Sequence, residues 1–275
     1  PHMAARGDQD EAMNDYHMHT KLSDGEGGFD GFVARAVELG LGEIGFSDHL
    51  VPRVCEEEFG DEGYGIPRQD VAGYARGVRR AAAGAGVRVL LGIEIDYVPG
   101  AEAELEELLA GEAFDYVIGS VHFADGFAFD SPALSGDPRW DDPDAVFRCY
   151  WDTVARAAAW GRFDVVGHLD LPKKLGHAAT TPMTAAEDAA LAAIRDAGLA
   201  IELNTSGLRA VAAEAYPSPS LLARAARLGI PLTLGSDAHT AADVGRDFGR
   251  AVALARAAGY VATLRLSDRT PEPLP

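Results

Sequence analysis

Cysteine and long apolar runs are scarce in this chain of 275 residues. The two cysteines, Cys55 and Cys149, form no CxxC motif, which argues against a disulfide framework and predicts a cytoplasmic protein. No stretch approaches the roughly 20 consecutive apolar residues of a membrane span. A signal-peptide pattern is also missing. We therefore expect no association with a membrane.

Positive charge is in short supply as well. The chain has 24 lysines and arginines against 43 aspartates and glutamates, which gives a net charge of −19. An acidic surface repels phosphate backbones, so this balance argues against a nucleic-acid partner and against a nuclease or proofreading role. Bound cations would offset part of the negative charge. The oligomeric state is not indicated.

Apolar residues are abundant, at 47% of the chain, and suffice for a sizeable core. Strands are predicted at 15–19, 43–47, 87–96, 115–121, 164–168, 199–204 and 231–235, with a further one at 260–266. Helices are predicted at 29–39, 69–83, 103–109, 143–160, 185–196, 218–228 and 241–258. This alternation predicts a parallel sheet, open or closed into a barrel, in a single domain over residues 14–275.

Residues 1–13 are excluded from this domain. Pro1-His2-Met3 resembles the scar of a cleaved expression tag, and the polar, aperiodic residues that follow predict a loose N terminus. Two predicted connections, 50–68 and 123–142, are long for a compact domain. We expect them to be functional loops that act as lids.

Polar residues follow the predicted strands, at the point where each strand ends. They are His17 and His19, Asp48 and His49, Glu94 and Asp96, His122, His168 and Asp170, Glu202 and Asn204, and Asp237 and His239. In a strand, residues i and i+2 face the same side, so His17 and His19 should lie side by side. In a barrel all strand exits meet at one mouth, where such folds place their sites. His177 is predicted to be a loop residue outside the site.

These side chains predict a metal centre. Imidazole and carboxylate ligands without cysteine suit Zn, Mn or Fe. A Zn site takes about four ligands, and six histidines with Asp24, Glu94 and Asp237 exceed that number, so we expect two to three divalent ions. A cluster bridged by a carboxylate and a hydroxide makes a nucleophile at neutral pH and holds the attacking and leaving oxygens of a phosphoryl or acyl transfer.

The chain resembles the PHP (polymerase and histidinol phosphatase) superfamily in an ordered set of motifs. From about residue 15 to residue 259 these read HMHT, SDH, GIEIDY, GSVHF, GHLD, LNTSG and GSDAH. The segments FSDHLVP, SVHFADGFAFD, GHLDLPKKLG, NTSGLR and YPSP resemble the histidinol-phosphate phosphatase branch. The resemblance implies a distorted (β/α)7 TIM-like barrel of the α/β class with a trinuclear metal site.

Carried over by position, the resemblance implies three groups of metal ligands. They are His17, His19, Glu94 and Asp237; Glu94, His122 and His168; and Asp24, His49 and His239. The resemblance also implies that Lys174 and Arg209 bind the substrate phosphate, with Lys173 as the alternative to Lys174. Both positions lie just past strand ends, and arginine and lysine are the side chains that bind phosphate most readily.

The implied activity is hydrolysis of a small-molecule phosphate ester, L-histidinol phosphate, to L-histidinol and phosphate in histidine biosynthesis. A metal-bridging hydroxide would attack phosphorus, with Glu94, Asp237 and His239 as catalytic residues and Asp237 as the acceptor of the water proton. The contacts to the histidinol moiety stay open. The candidates are Asp48, Asp170, Glu202, Asn204 and residues of the two long loops.

Three alternative functions compete with this one. The nearest is a PHP phosphoesterase acting on nucleotides or other small phosphate esters. An amidohydrolase-type barrel also begins with HxH, but such barrels use histidines where this chain has Glu202 and Asn204 at the end of strand six. A non-catalytic metal-binding module is disfavoured because all the expected ligands are present.

Overall fold

The computed structural model of the chain describes residues 12–55 and 64–275. The helices with defined bounds are α1 (Phe29–Leu39), α2 (Val71–Ala82), α3 (Glu102–Ala110), α4 (Pro143–Trp160), α5 (Thr184–Asp196), α6 (Pro219–Arg227) and α7 (Phe248–Ala258). The strands are β1 (Glu43–Phe46), β2 (His49–Leu50), β3 (Arg88–Asp96), β4 (Tyr116–Ser120), β5 (Phe123–Ala124), β6 (Phe127–Ala128), β7 (Val165–Val166), β8 (Ala200–Asn204), β9 (Leu232–Gly235), β10 (Ala262–Arg265) and β11 (Thr270–Pro273). Within these described ranges no helix is both long and apolar enough to span a membrane. The predicted expression scar and loose N terminus lie outside the described residues, apart from Ala12 and Met13.

The main sheet is parallel and follows the order β1, β3, β4, β7, β8, β9. Strand β2 continues β1 and also pairs with β3. The segment 15–18 joins the two edges of the sheet, because Asp15 bridges to Ile44 and Met18 bridges to Ala238. The predicted fold class, a distorted (β/α)7 TIM-like barrel, is confirmed.

Three predicted elements differ from the structure. The first strand, predicted at 15–19, forms two isolated bridges instead of a regular ladder. The strand predicted at 260–266 lies outside the barrel, in the antiparallel pair β10–β11. The helix predicted at 241–258 starts only at Phe248, because Gly245 and Asp247 have left-handed backbones with φ of 62° and 63°, which a right-handed helix cannot include.

Apolar side chains fill the space between the sheet and the helices. Helices α1 and α2 pack against β1 and β3 through Phe32, Phe46 and Tyr74. Helices α4 and α5 pack on each other, and Tyr150 and Trp151 of α4 are fully buried. Each such side chain contributes roughly 1.5–3 kcal/mol on burial. This packing holds the strand ends, and therefore the site, in fixed positions.

Tyr116 closes the amino end of the barrel interior. Its hydroxyl donates a hydrogen bond of 2.6 Å to the carbonyl of Tyr16. A Cβ atom at either Gly45 or Gly92 would lie 2.1 Å from an atom of Tyr116, so only glycine at these positions leaves room for the ring. One end of the barrel is therefore packed, and the opposite end, where the strands exit, is available for polar side chains.

The connection after β4 contains structure of its own. Strands β5 and β6 form an antiparallel hairpin, and 3₁₀ turns follow at Pro132–Leu134 and Pro138–Asp141. The sequence predicts a functional loop at 123–142, and part of this connection lies at the mouth of the barrel. Of the other long connection, 50–68, the structure describes 50–55 and 64–68, and Tyr64 lines the cavity described below.

Candidate metal centre and substrate cavity

The carboxyl ends of the strands surround a cavity of about 530 Å³. The predicted site residues that line it are Asp24, His49, Glu94, His122, His168, Lys174, Arg209, Asp237 and His239. The remaining described lining residues are Tyr64, Asp130, Ser131, Pro132, Leu171, Ser206, Ala210 and Tyr216. His17 and His19 are fully buried and contact Glu94 beneath the cavity. The structure thus brings all the predicted site residues to one place.

Glu94, on β3, lies at the centre of the histidine cluster. Its Oε1 atom is 2.9 Å from His168 Nε2. Its Oε2 atom is 3.0 Å from His17 Nε2, 3.1 Å from His49 Nδ1 and 3.4 Å from His19 Nε2. A carboxylate with imidazoles at both oxygens has the surroundings of a ligand shared between neighbouring metal ions.

The ligand atoms fall into groups in which all atoms lie within 4.8 Å of one another. Three of these groups overlap the predicted ones. They are His17, His19 and Glu94; Glu94, His122 and His168; and His19, Asp24, His49 and His239. Asp237 Oδ1 lies 3.2 Å from His19 Nε2 and 3.7 Å from His17 Nε2. Asp237 therefore lies beside the first group, and its ligand atom forms a separate group with those of His17 and His168.

Several buried imidazole nitrogens make no hydrogen bond to the described residues. They include both ring nitrogens of His19, which lie near carboxylate oxygens, at 3.2 Å and 3.8 Å, without hydrogen-bond geometry. In addition, the Nε2 atoms of His122 and His168 face each other at 3.2 Å. Leaving a buried polar atom unpaired costs about 1–3 kcal/mol, and coordination of a metal would remove that cost. The nitrogen and oxygen donors therefore fit divalent ions of the Zn, Mn and Fe type.

The protonation states of the cluster depend on burial and on neighbouring charges. Burial opposes the charged form of Glu94, but His17 and His49 hold the pKa of that carboxyl well below its usual range. Burial likewise opposes the charge of Asp237, and His17 and His19 hold its pKa well below the usual range. At His49 burial dominates and lowers the pKa to about 4. Metal binding requires charged carboxylates and neutral imidazoles. Although burial opposes protonation, neighbouring carboxylates raise the pKa values of three imidazoles, which therefore have to release a proton when a metal binds. These are His17, His122 and His239.

Two acidic residues behind the cluster orient its histidines. The first, Asp96, accepts hydrogen bonds from His122 Nδ1 and from the Tyr64 hydroxyl. Although burial opposes protonation of His122, Asp96 raises its pKa to about 10. Glu94 and Asp96 are two residues apart on β3 and face the same side. The sequence shows this spacing, but it does not reveal that Asp96 orients His122.

Glu202, on β8, is the second of these residues. Its Oε1 atom is 2.7 Å from His17 Nδ1, and its Oε2 atom accepts from the backbone N–H of His168 at 2.9 Å. A Cβ atom at Gly235 would lie 1.7 Å from Glu202 Oε1, so this glycine leaves room for the carboxylate. The sequence makes Glu202 a candidate contact to the substrate, whereas the structure places it beneath His17.

The two lysines that adjoin in sequence lie in different environments. Lys174 lines the cavity, and its Nζ donates to Asp130 Oδ2 at 2.7 Å. Lys173 lies outside the described cavity lining, where its Nζ is 2.7 Å from Glu214 Oε2 and 2.9 Å from Asp170 Oδ2. This difference favours Lys174 over Lys173 as the phosphate-binding lysine.

Arg209 is held at the cavity wall by several acceptors. Its Nη2 donates to the carbonyl of Ser236 at 2.9 Å. Its Nη1 is 3.3 Å from the carbonyl of Thr205 and 3.4 Å from Asp247 Oδ2. These contacts restrict the guanidinium while its exposed edge still lines the cavity.

Other sequence candidates have structural contacts and do not line the cavity. Asp48 accepts from the Thr20 backbone N–H and from Ser23 Oγ, both at 2.7 Å. Asn204 donates to Asp237 Oδ2 at 3.3 Å. His177, predicted to be outside the site, stacks on a tryptophan ring with centroids 3.7 Å apart. None of these three residues belongs to the described lining of the cavity.

The fold and the site together define a class, an α/β barrel with a cluster of metal-binding side chains at its mouth. The family model of the PHP domain matches residues 15–206, and that of the PHP-associated region matches residues 222–247. Because the first match covers more than half of the chain, the protein belongs to the PHP domain family. The predicted family is confirmed.

Relatives with names extend this comparison. A Deinococcus radiodurans protein named "Probable histidinol-phosphatase" is 39% identical over 240 residues, which cover 86% of this chain and 90% of that protein. The "Histidinol-phosphatase" of Bacillus subtilis is 31% identical over 177 residues, 56% of this chain and 64% of that protein. Histidinol phosphate phosphatase from Lactococcus lactis, solved in complex with Zn, L-histidinol and phosphate, shares the fold with a TM-score of 0.75 at 21% identity, over 94% of this chain and 98% of that chain.

Proposed function

We propose that this protein is a metal-dependent phosphomonoesterase that hydrolyses L-histidinol phosphate to L-histidinol and phosphate, a step of histidine biosynthesis. Membership of the PHP domain family supports this proposal. So does the 39% identity to a protein named "Probable histidinol-phosphatase", which extends over most of both chains. The partner is a small phosphate ester, which suits a chain with a net charge of −19 better than a nucleic acid does.

One observation carries the proposal, namely that two cations face the metal-binding cluster across a single cavity. Lys174 and Arg209 line the same cavity as Glu94 and Asp237. A phosphate monoester carries negative charge on oxygens that do not react, and these oxygens need cations. Hydrolysis of a neutral C–N bond has no such requirement, so this arrangement favours phosphoryl transfer over an amidohydrolase reaction.

The residues that would hold two to three divalent ions are the three predicted groups. They are His17, His19, Glu94 and Asp237; Glu94, His122 and His168; and Asp24, His49 and His239. Zn is supported by its presence in the Lactococcus lactis structure, and Mn and Fe suit the same donors. Such ions, when bound, lower the pKa of water and neutralise charge on phosphate.

The residues of the chain bind and orient the ester. Lys174 offers a point charge, and Arg209, fixed by the Ser236 carbonyl, offers directional contacts to phosphate oxygens. Both stabilise the negative charge of the phosphoryl group in the transition state. The lowered pKa of Asp237 keeps its carboxylate charged, which supports a role as acceptor of the proton of the attacking water. His239 Nδ1 lies 3.6 Å from Asp237 Oδ1 at the rim of the cavity.

The proposal can be tested by measuring phosphate release from a panel of phosphomonoesters. The enzyme is stripped with a chelator and then resupplied with Zn, Mn or Fe. We expect kcat/KM for L-histidinol phosphate to exceed that for nucleotides and simple alkyl phosphates by at least about 10²-fold, because a built site discriminates by its polar contacts. A preference for nucleotides would keep the metal centre and assign the protein to another phosphoesterase branch.

A pair of histidine variants tests the site assignment in the same assay. His17→Ala removes a buried predicted ligand and should abolish turnover. His177→Ala removes a histidine that stacks outside the cavity and serves as the matched control. Full activity in His17→Ala would contradict the proposed metal centre.

A further inference from the structure

Asp130 is a carboxylate of the cavity that the metal centre does not use. Among the described residues that line the cavity, the other carboxylates are Asp24, Glu94 and Asp237, which all belong to the predicted ligand groups. Asp130 follows β6 and is anchored by buried neighbours, since Ala128 and Phe129 are fully buried. Its side chain is 16% exposed, so it is largely shielded but still reaches the cavity.

The cation paired with Asp130 is itself proposed to bind phosphate. Lys174 Nζ lies 2.7 Å from Asp130 Oδ2, and Lys174 is the more exposed of the two, at 37%. A phosphate that reaches Lys174 competes for the same ammonium group. Asp130 then needs a second cation, because a largely buried carboxylate without a counter-charge is costly.

A substrate with an ammonium group next to its phosphate supplies that cation. In L-histidinol phosphate, the carbon that bears the amine is bonded to the carbon that bears the phosphate oxygen. The ammonium and the phosphate therefore lie as close neighbours, as do Asp130 and Lys174. When the ester binds, its phosphate can pair with Lys174 and its ammonium group can pair with Asp130. No charge is then left unpaired.

We propose that Asp130 is the specificity-determining residue that binds the ammonium group of 2-amino phosphate esters. This inference rests on the proposed phosphatase function and names the contact that selects its substrate class. The acidic candidates from the sequence have other partners: Glu202 binds His17, Asp48 binds Thr20 and Ser23, and Asp170 binds Lys173.

The neighbouring Asp170–Lys173 pair provides a matched control. Its atoms lie 2.9 Å apart, and its residues are of the same types, but neither residue lines the described cavity. Asp170 has a left-handed backbone with φ of 76°, which asparagine tolerates well. Asp170→Asn therefore removes the same charge as Asp130→Asn without straining the chain.

The test crosses enzyme variants with substrates that have or lack the amine. Wild type, Asp130→Asn and Asp170→Asn are assayed on L-histidinol phosphate and on its deamino analogue, 3-(imidazol-4-yl)propyl phosphate. We expect Asp130→Asn to lower kcat/KM for the amine substrate about 10- to 100-fold, the usual effect of losing a charged hydrogen bond. The analogue should change less than about threefold. Asp170→Asn should leave kcat/KM unchanged for both substrates.

Inhibition constants separate substrate binding from positioning of Lys174. If Asp130 binds ammonium, Asp130→Asn weakens inhibition by L-histidinol and leaves inhibition by inorganic phosphate unchanged or stronger, because Lys174 is released. Equal losses on both substrates, together with weaker inhibition by phosphate, would mean that Asp130 only positions Lys174, and the inference would be wrong.

A second substrate pair keeps the inference separate from the proposed function. If wild type does not prefer L-histidinol phosphate, 2-aminoethyl phosphate and ethyl phosphate pose the same question with smaller esters. A preference for the amine that Asp130→Asn removes supports the inference even if the function proposed above fails. No preference for the amine in either pair would overturn the inference.

Discussion

Asp15 and Glu94 are two fully buried carboxylates of the same barrel with opposite surroundings. Asp15 accepts hydrogen bonds from the Ser236 backbone N–H at 2.9 Å, from Ser236 Oγ at 2.5 Å and from the Gly245 N–H at 2.9 Å. These donors are neutral groups of the chain after β9, and a fourth neutral donor is the backbone N–H of His17 at 3.4 Å. Glu94 also accepts from one hydroxyl, Ser120 Oγ, but its other neighbours are imidazoles. No backbone N–H of the described residues donates to its side chain.

The difference shows in the ionisation of the two groups. Burial raises the pKa of Asp15, and its hydrogen bonds only partly oppose that effect. Burial also opposes the charge of Glu94, but His17 and His49 hold its pKa well below the usual range. Burial and residue type therefore do not distinguish a structural carboxylate such as Asp15 from a proposed metal ligand such as Glu94. The two carboxylates are distinguished by their neighbours, which are mainly imidazoles at Glu94 and neutral donors at Asp15.

Glu94→Gln tests the contrast between the two carboxylates most directly, and we expect the largest effect from this substitution. The amide keeps the shape of the side chain but lacks the charge that pairs with the surrounding imidazoles and that the proposed metal ions would require. We expect kcat/KM to fall by about 10³-fold or more, the scale seen when one essential electrostatic group is lost. Metal content, measured by mass spectrometry after dialysis, should also fall.

The control for Glu94→Gln is its stability. Replacing a buried ligand charge by a neutral amide should leave the metal-free protein folded, because the backbone pairing of β3 does not depend on the Glu94 side chain. A variant that retains both activity and its full complement of metal would contradict the proposal that Glu94 is a ligand shared between metal ions.

Asp15→Ala should produce the converse result, a loss of stability with little loss of catalysis per folded molecule. The substitution leaves the Ser236 and Gly245 N–H groups without their acceptor, at about 1–3 kcal/mol for each buried group. We expect the free energy of unfolding in urea to fall by about 2–4 kcal/mol. If stability is unchanged but activity is lost, Asp15 belongs to the site and the comparison fails.

The barrel and the cluster are predictable from the sequence because both depend on strand ends. The exits of parallel strands must meet, so histidines placed there, such as His122 and His168, converge whatever the detailed packing. The role of Asp15 is not predictable in this way. It precedes the HMHT motif, and the sequence does not reveal that its neighbours are neutral donors, because three of its four donors come from the distant segment around Ser236 and Gly245.

Features that depend on loop geometry also cannot be predicted from the sequence patterns. Lys173 and Lys174 are adjacent, and only the 3₁₀ turn at Leu171–Lys173 decides which of them lines the cavity. Asp130 lies in the long connection at 123–142, whose path follows from the β5–β6 hairpin. Helix α7 starts late because Asp247 has a left-handed backbone, which the apolar periodicity does not reveal.

Glu202→Gln tests an intermediate case, because Glu202 contacts both an imidazole, as Glu94 does, and a neutral backbone donor, as Asp15 does. One oxygen meets the imidazole of His17 at 2.7 Å, and the other accepts from the backbone N–H of His168 at 2.9 Å. Partners behind a ligand histidine usually affect metal affinity about 10- to 100-fold. We expect a loss of that size in competition with a chelator, and a smaller loss of activity when metal is in excess. Unchanged metal affinity would limit Glu202 to a structural role.

Asp144→Asn should have the smallest effect and extends the comparison to a carboxylate at the edge of the core. Asp144, on α4, accepts from Thr181 Oγ1 and the Thr180 N–H, both at 2.6 Å. These neutral donors lower its pKa to about 2 from the ordinary value of 3.8. The depressed pKa means that ionised Asp144 contributes stability above the unfolded pKa and that this contribution is lost as pH falls toward the folded pKa.

The difference in the free energy of unfolding between wild type and Asp144→Asn should therefore be constant above about pH 5 and shrink as pH falls below about 4. Urea unfolding at several pH values measures this difference directly. A difference that grew with acidity would show that Asp144 behaves like Asp15, whose pKa burial raises. In that case the neutral donors would leave the pKa raised both in the core and at its edge. The difference in exposure between Asp144 and Asp15 would then have no effect on the direction of the pKa shift.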